Sequence, residues 1–295
     1  MHLVRQANGA EPLRRFLESY GRHPAGASHD LLLLFKGFES SLPDEYEALL
    51  KGVAHQRRFI PDRGFDVDAY FGFARTHEAA AFCFLNSFSV ILADGWLASL
   101  HRALSEGDAG MVGATGSWQS LATVDADLRM TAFSRRPGYP AWKRQLLEWF
   151  PFLRKLVPAV RRQLLQGMFG PFPNHHLRTN AFMIRRATAL DVRLAPPRWK
   201  FDAYRFESGK RGLTAQVLGM GKAVLVVGRD GVAYDRENWH LSNTFWRRNQ
   251  ENLLVADNQT RSYESSDPEL RAAYSAIAWG AWADAGPDRE RIPIA

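Results

Sequence analysis

Chemistry in this chain concentrates in a few short stretches. The mostly polar tetrad Asn86, Ser87, Phe88, Ser89 follows the apolar run Ala81 to Leu85, and a polar loop at the carboxyl end of a buried strand is where open α/β sheets bind ligands. Its side-chain oxygens belong to one amide and two hydroxyls, and neutral donors of that kind hold Mg²⁺ or Mn²⁺ far more weakly than carboxylates do. The stretch KFDAYRFESGKRG (Lys200 to Gly212) carries two acids, Asp202 and Glu207; five residues apart on a helix, they do not share a face closely. In FPNHHLRTNAFMIRR (Phe172 to Arg186), His175 and His176 are adjacent. They point apart on most backbones and make a poor metal pair, although one of them can act as an acid or base or touch a phosphate. In PDRGFD, Asp62, Gly64 and Asp66 read as a tight turn with Asp66 capping the helix that follows.

These stretches need a scaffold, and the hydrophobic pattern supplies one. Ala81 to Leu85 reads as a buried strand, and beyond the tetrad Asp94 can cap a helix with Trp96, Leu97, Leu100 and Leu104 on one face. That helix ends near Gly107, and Gly110 to Gly116 alternates glycine with small residues as a second core strand does. Upstream, strand candidates at Leu3 to Asn8, Leu31 to Phe35 and Arg58 to Pro61 alternate with helical patterns at Glu11 to Tyr20, Pro43 to Val53 and Val67 to Ala74. Alternation of this kind predicts an α/β fold, a mostly parallel sheet covered by helices on both faces. Downstream, Ala181 to Ile184 and Ala223 to Val227 read as strands, Trp199 to Gly212 as a helix, and Ser242 to Ala256 and Pro268 to Ala281 as terminal helices.

At 295 residues, 46% of them hydrophobic, the chain can bury a substantial core. Its apolar runs fall far short of the about 18 residues of a membrane span, and the N-terminus lacks the charged leader and apolar stretch of a secretion signal. A cytoplasmic protein is the expectation. The single cysteine, Cys83, lies within an apolar run and reads as core packing. The formal net charge of +7 is local: between Arg135 and Arg162 stand eight basic residues and the single acid Glu148, which accounts for the whole surplus. A local patch on a balanced chain argues against a nucleic-acid partner. The same region carries an apolar stripe at steps of three and four, Trp142 to Leu164, on helical segments restarted at Pro151 and Pro158. This basic amphipathic insertion, 139–166, either docks on the sheet or meets an anionic membrane peripherally, on its inner face.

Taken in order, FLNSFSVILADGWLASL, AGMVGATGS, TNAFMIRRATAL and KFDAYRFESGKRG resemble the inverting glycosyltransferases of family 2, with the GT-A fold. In that family a strand ending in an Asp-x-Asp loop is followed by a "gWL" helix and a "VG" strand, and later by a strand ending in paired arginines. The resemblance covers roughly residues 1 to 230. It implies transfer of a sugar from a nucleotide-diphosphate donor to a hydroxyl of a saccharide or lipid-linked acceptor, in surface polysaccharide or glycolipid synthesis. It implies a nucleotide-sugar-binding half at 1–117, an acceptor half at 118–240 that includes the insertion, and C-terminal helices and tail at 241–295. Asp202 falls on the family's general-base position, with Glu207 next. Donor contacts fall on Asn8, Asp62, Gly64 and Asp66 and on the tetrad positions Asn86, Ser87 and Ser89. Trp118 and Trp239 either stack on sugar faces or belong to the core.

The departure from the family is in the metal loop. Where it has two carboxylates for a divalent ion, this chain has Asn86, Ser87 and Phe88, so no metal ligand is assigned, and Mg²⁺ or Mn²⁺ would bind without its usual clamp. The leaving diphosphate must then be neutralised by side chains or backbone donors. Arg178, Lys200 and Arg205, with Lys210 and Arg211, lie near the acceptor-side motifs, and His175 or His176 can add a proton donor. A non-catalytic nucleotide-sugar or carbohydrate-binding relative is the alternative. A nucleotidyltransferase would want a glycine-rich basic loop after the first strand, and QANGAEP is a poor one.

Overall fold

The computed structural model describes residues 1–123, 163–195 and 200–283. Its centre is an eight-stranded sheet. The strands are β1 (His2–Arg5), β2 (Leu32–Lys36), β3 (Gln56–Ile60), β4 (Ala81–Leu85), β6 (Ala109–Gly113), β9 (Ala181–Arg185), β10 (Ala223–Val227) and β11 (Ala233–Tyr234), in the spatial order β11-β10-β6-β9-β4-β1-β2-β3. Four pairings are parallel, β1 with β2 and β4, β2 with β3, and β6 with β10. β9 runs antiparallel to both of its neighbours, and β11 closes the edge as an antiparallel hairpin on β10. Two short pairs lie outside this sheet. One joins β5 (Val90–Ile91) to β12 (Val255–Ala256), the other β7 (Gly116–Ser117) to β8 (His176–Leu177).

Each central strand sends alternate side chains to opposite faces, which is why the sequence reads as unbroken apolar runs. Leu32, Leu34, Phe82, Phe84, Phe182 and Ile184 enter one core, and Leu33, Phe35, Leu85, Ala181 and Met183 enter the other. The second core is covered by α1 (Glu11–Arg22), α2 (Asp44–Leu50) and α4 (Trp96–Ser105), through Phe16, Tyr46, Leu97 and Leu100. The first is covered by α3 (Asp66–Thr76), α5 (Arg186–Asp191), α6 (Lys200–Ser208) and α7 (Leu213–Gly219). It also takes in the C-terminal Trp239, Phe245 and Trp246 and the helices α8 (Asn258–Glu264) and α9 (Pro268–Trp279). The glycine alternation after α4 has a packing cause. A Cβ at Gly113 would lie 2.2 Å from the Leu177 side chain and one at Gly116 2.7 Å from the Trp239 ring, so β6 and β7 are glycine where neighbours press on the backbone.

Several local expectations are corrected. Asp94 does not cap α4, where Gly95 holds the N-cap; its carboxylate instead meets His23 Nδ1 at 2.7 Å. Asp66 does not cap α3 either, since Asp68 Oδ2 accepts from the Phe65 amide at 2.7 Å and Asp66 stands inside the first turn. The span from Trp199 to Gly212 is not one helix: α6 stops at Ser208, and α7 begins beyond Gly212. Nor is Ser242 to Ala256 helical. It contains Asn243, Trp246, Arg248 and Gln250 with φ near +50°, and side chains rather than a helical ladder tie it together: Gln250 accepts from the Trp246 amide and donates to Thr260 O. Cys83 is free and half-buried in β4 against the second core, and burial pushes its thiol up to about 11. Arg135 to Arg162, and the insertion up to residue 162, lie outside the described residues. Of the apolar stripe only Leu164 is described; it is exposed, while Leu165 packs with Ala122 and Phe169. Among the described residues no helix is long and apolar enough to cross a membrane.

Candidate functional site

Because β1 to β4 are parallel, their carboxyl ends emerge on one edge of the sheet, and antiparallel β9 brings its amino end to that edge. From β1 the chain proceeds to β2 on one side, while β4 lies on the other; a doubly wound sheet opens a crevice at such a switch point. Two polar clusters occupy this edge.

The first is on β1 to β3. Lys36 ends the apolar strand LLLFK, is 1% exposed, and donates from Nζ to Gly64 O at 2.7 Å. Gly64, with φ +64°, turns that carbonyl toward the lysine. Arg5 Nη2 pairs with Asp62 Oδ1 at 3.1 Å. Burial pushes the Asp66 carboxyl above its ordinary value, against the pull of Lys36, and burial lowers the Lys36 ammonium against the pull of Asp66. Tyr70 Oη is buried without a hydrogen-bond partner, and burial together with Asp66 holds its phenol well above the usual range. Asn8 sits half-buried in the short turn Gln6–Asn8 beyond Arg5. Asp62, Gly64 and Asp66 thus stand together, while Lys36 was missed. The signal was present: a charge at the last position of an otherwise apolar, doubly buried strand must find partners where the strand leaves the core.

The second cluster joins β4 to β9. Asn86 N donates to Asn180 O at 2.9 Å, and Asn86 Oδ1 accepts from Phe88 N at 2.9 Å and from Ser89 Oγ at 3.2 Å. The tetrad is therefore an Asx turn with its amide oxygen already engaged. Its hydroxyls do not face an open cleft as the loop reading expects: Ser87 is 3% and Ser89 0% exposed, whereas Asn86 and Phe88 are half-buried. Thr115 Oγ1 donates to Asn180 Oδ1 at 2.7 Å. Arg178 is buried over the Phe245 ring, 4.1 Å from its centroid, and pairs through Nη2 with Asp257 Oδ2 at 2.9 Å. Sequence reasoning missed Asp257, which opens α8 and accepts at Oδ1 from the Gln259 and Thr260 amides. It also missed Arg261, whose Nη1 reaches Phe88 O at 3.1 Å. Asp257 carries a local signal, the DNQT pattern of an N-cap; its pairing with Arg178, 79 residues away, leaves none.

The two acids of α6 go different ways. Glu207 Oε2 accepts from Thr179 N at 2.8 Å and Thr179 Oγ1 at 2.6 Å, which places it beside Asn180 and the junction. Asp202, on the first turn, is half-buried and lies 3.7 Å from the guanidinium of exposed Arg205. Lys200 opens the helix. The paired histidines point apart, as expected. His176 is buried and its Nδ1 contacts Asn174 O at 2.8 Å, with Glu207 in its field. His175 instead lies between Trp118 and Trp239 at 5.3 and 6.1 Å. Burial, seconded by Arg236, lowers His175 to about 4, and burial lowers His176 as well. Trp118 and Trp239 are 2% and 0% exposed and belong to the core, not to a stacking platform.

The residues at the tetrad do not fit a divalent cation. No carboxylate is present there, the one amide oxygen serves the turn, and the Phe88 carbonyl is bound to a guanidinium. Among the described residues no group of three metal-binding side chains exists.

No protein-family model matches the chain, and no curated protein matches it in sequence. Among solved structures, it is similar to mouse xyloside xylosyltransferase 1 in its apo form (TM-score 0.39, 12% identity, 77% of this chain and 83% of that one). It is similar to glucosyl-3-phosphoglycerate synthase from Mycobacterium tuberculosis in complex with Mn²⁺, UDP and glucosyl-3-phosphoglycerate (0.37, 12%, 94% and 78%). A third is the inositol-1-phosphate CTP transferase from T. maritima (0.36, 10%, 94% and 95%). Scores of this size carry no conclusion about chemistry, which rests on the residues themselves.

Proposed function

We propose that the chain is a glycosyltransferase, moving a sugar from a nucleotide-diphosphate donor to an acceptor hydroxyl with inversion at C1. The observation that carries this reading is the convergence, at one switch-point edge, of the Arg5, Lys36, Asp62 and Asp66 cluster with the Asn86–Asn180 junction and the Glu207 carboxylate beside it. The first cluster suits the nucleoside end of a donor, the second its phosphates. In the transfer, a carboxylate takes the acceptor's hydroxyl proton as that oxygen bonds to C1, and the bond from C1 to the diphosphate oxygen breaks with its electron pair leaving on the diphosphate.

Asp202 is the general base that the family resemblance implies. Glu207, fixed by two hydrogen bonds from Thr179, is a positioning residue that holds the entry to β9. The acceptor is a saccharide or a lipid-linked saccharide. The test is release of nucleoside diphosphate from a panel of nucleotide sugars with sugar acceptors, in EDTA and in Mn²⁺. Asp202→Asn should lower the rate by about a hundredfold or more; full activity in that variant removes Asp202 as base.

A second reading, a non-catalytic binder of nucleotide sugars, is favoured by one observation, that the loop bears no acid and spends its amide on its own turn. It predicts binding without turnover or donor hydrolysis under any metal.

A further inference from the structure

The C-terminal part of the chain returns to the loop where the resemblance places a metal. Pairing of Ala256 with Val90 sets Asp257 next to Ser89, at the start of α8. From there one helix reaches the loop twice. Its N-cap Asp257 holds the Arg178 guanidinium, and its Arg261 donates to Phe88 O, the carbonyl of the position where the family's second carboxylate would stand. Two guanidinium groups therefore stand at the Asn86 to Val90 loop, with Asp257 on Arg178, Glu207 on Thr179 and Glu264 in the field of Arg261.

Three groups at this junction have unmade hydrogen bonds. Arg178 is 6% exposed, yet its Nη1 has no partner; Asn180 Nδ2 and Ser87 Oγ are also buried and unpartnered. Buried polar atoms are ordinarily satisfied, so an arginine and an amide left with N–H groups to spare are a set of donors short of an acceptor. An acceptor-rich anion completes it. A guanidinium stays charged, is less strongly hydrated than an ammonium, and offers phosphate oxygens a planar fork.

We propose, resting on the sugar-transfer reading, that Arg178 and Arg261, with Asn180, hold the diphosphate of the donor in place of a divalent ion. The sequence would thus have lost the metal loop's acids together with the need for them. Coordination by Asp-x-Asp is replaced by Arg178, between β8 and β9, and by Arg261 from a helix about 170 residues downstream of Phe88.

The test is calorimetric titration of the full chain with UDP, GDP, ADP and dTDP, each also as its nucleoside, and with inorganic pyrophosphate, in EDTA and in Mn²⁺. One nucleoside diphosphate should bind in EDTA, and Mn²⁺ should change its Kd by less than about threefold. Arg261→Gln and Arg178→Lys should each weaken that diphosphate about tenfold or more while changing the nucleoside less than about threefold. Binding that requires Mn²⁺, variants that bind as tightly as the parent, or equal weakening of nucleoside and diphosphate would each overturn the proposal. Arg261 is half-buried, so Arg261→Gln decides the matter by itself if Arg178→Lys does not fold. Pyrophosphate binding as tightly as the best diphosphate would point to a free-anion site and also overturn it. A folded chain that binds no nucleoside diphosphate in either condition overturns the sugar-transfer reading itself, a result distinct from the others.

Discussion

Replacing Asp257 by asparagine isolates the charge at the centre of the C-terminal connection. An asparagine oxygen can still accept from the Gln259 and Thr260 amides, so the α8 cap survives. What is lost is the counter-charge of Arg178, in a pair whose side chains are 7% and 1% exposed. Removing one partner of a buried pair leaves the other charge uncompensated, at about 3–5 kcal/mol. With a urea m-value of about 3 kcal/mol/M, the unfolding midpoint should fall by about 1–1.7 M. Arg178→Met keeps the guanidinium's contact area over Phe245 and removes its charge. The double variant then holds neither charge and should be more stable than Asp257→Asn alone, with a coupling of at least about 2 kcal/mol in the double-mutant cycle. A midpoint within about 0.3 M of the parent for Asp257→Asn, or single effects that add to within about 0.5 kcal/mol, would refute the claim that α8 is fastened to the β8–β9 connection through a buried ion pair.

Three further outcomes follow from the packing. His2 is fully buried, stacks on Phe16 at 3.8 Å, and has no hydrogen bond at either ring nitrogen; burial lowers it to about 3. As pH falls from about 6.5 toward 3 the unfolded chain takes up a proton that the native chain refuses, so about 3–5 kcal/mol of stability present above pH 6.5 is lost in that window. His2→Phe should flatten this acid limb in unfolding titrations, and a limb of unchanged steepness would count against the assignment. Gly113→Ala should destabilise by about 1–3 kcal/mol through the Leu177 side chain 2.2 Å from its new Cβ, and should cost less in a Leu177→Ala background; an equal cost in both backgrounds would place the strain elsewhere. Trp239→Ala should cost about 3–5 kcal/mol in denaturant unfolding, as for a fully buried indole; reduced activity with unchanged stability would instead make it a ligand platform.

The sheet was legible because its strands are buried on both faces. LLLLF, AFCFL and AVLVV are runs that no surface element carries, and Ala81–Leu85 and Ala223–Val227 have the expected limits. Boundaries slipped where a side chain had two ways to be satisfied. Asp94 could cap a helix or pair with His23, and only the folded chain brings His23 within 2.7 Å. Asp66 and Asp68 compete for one cap, and register decides for Asp68. The segment after Ser242 misled for a different reason. Its aromatic and basic residues suit a helix, yet Arg247 is buried and donates to His240 O and Asn243 Oδ1, and four non-glycine residues adopt φ near +50° around it. Tertiary hydrogen bonds override propensity there.

The same logic separates the visible part of the site from the hidden part. The β1 to β4 edge could be found because each polar stretch directly follows its own apolar strand, so local pattern and position coincide. The residues that complete the Asn86 loop come from the far end of the chain: Asp257 and Arg261 reach Arg178 and Phe88 across 79 and 173 residues, and neither Arg178 nor Phe88 marks its partner. The absence of acids in Asn86-Ser87-Phe88, read locally, is only a loss. Once Val90 pairs with Ala256, the loop has a guanidinium on its Phe88 carbonyl, and under the proposal above that cation stands where the acids' metal would. Carboxylates at those positions would pair with Arg178 and Arg261 and take up the donors that a phosphate needs.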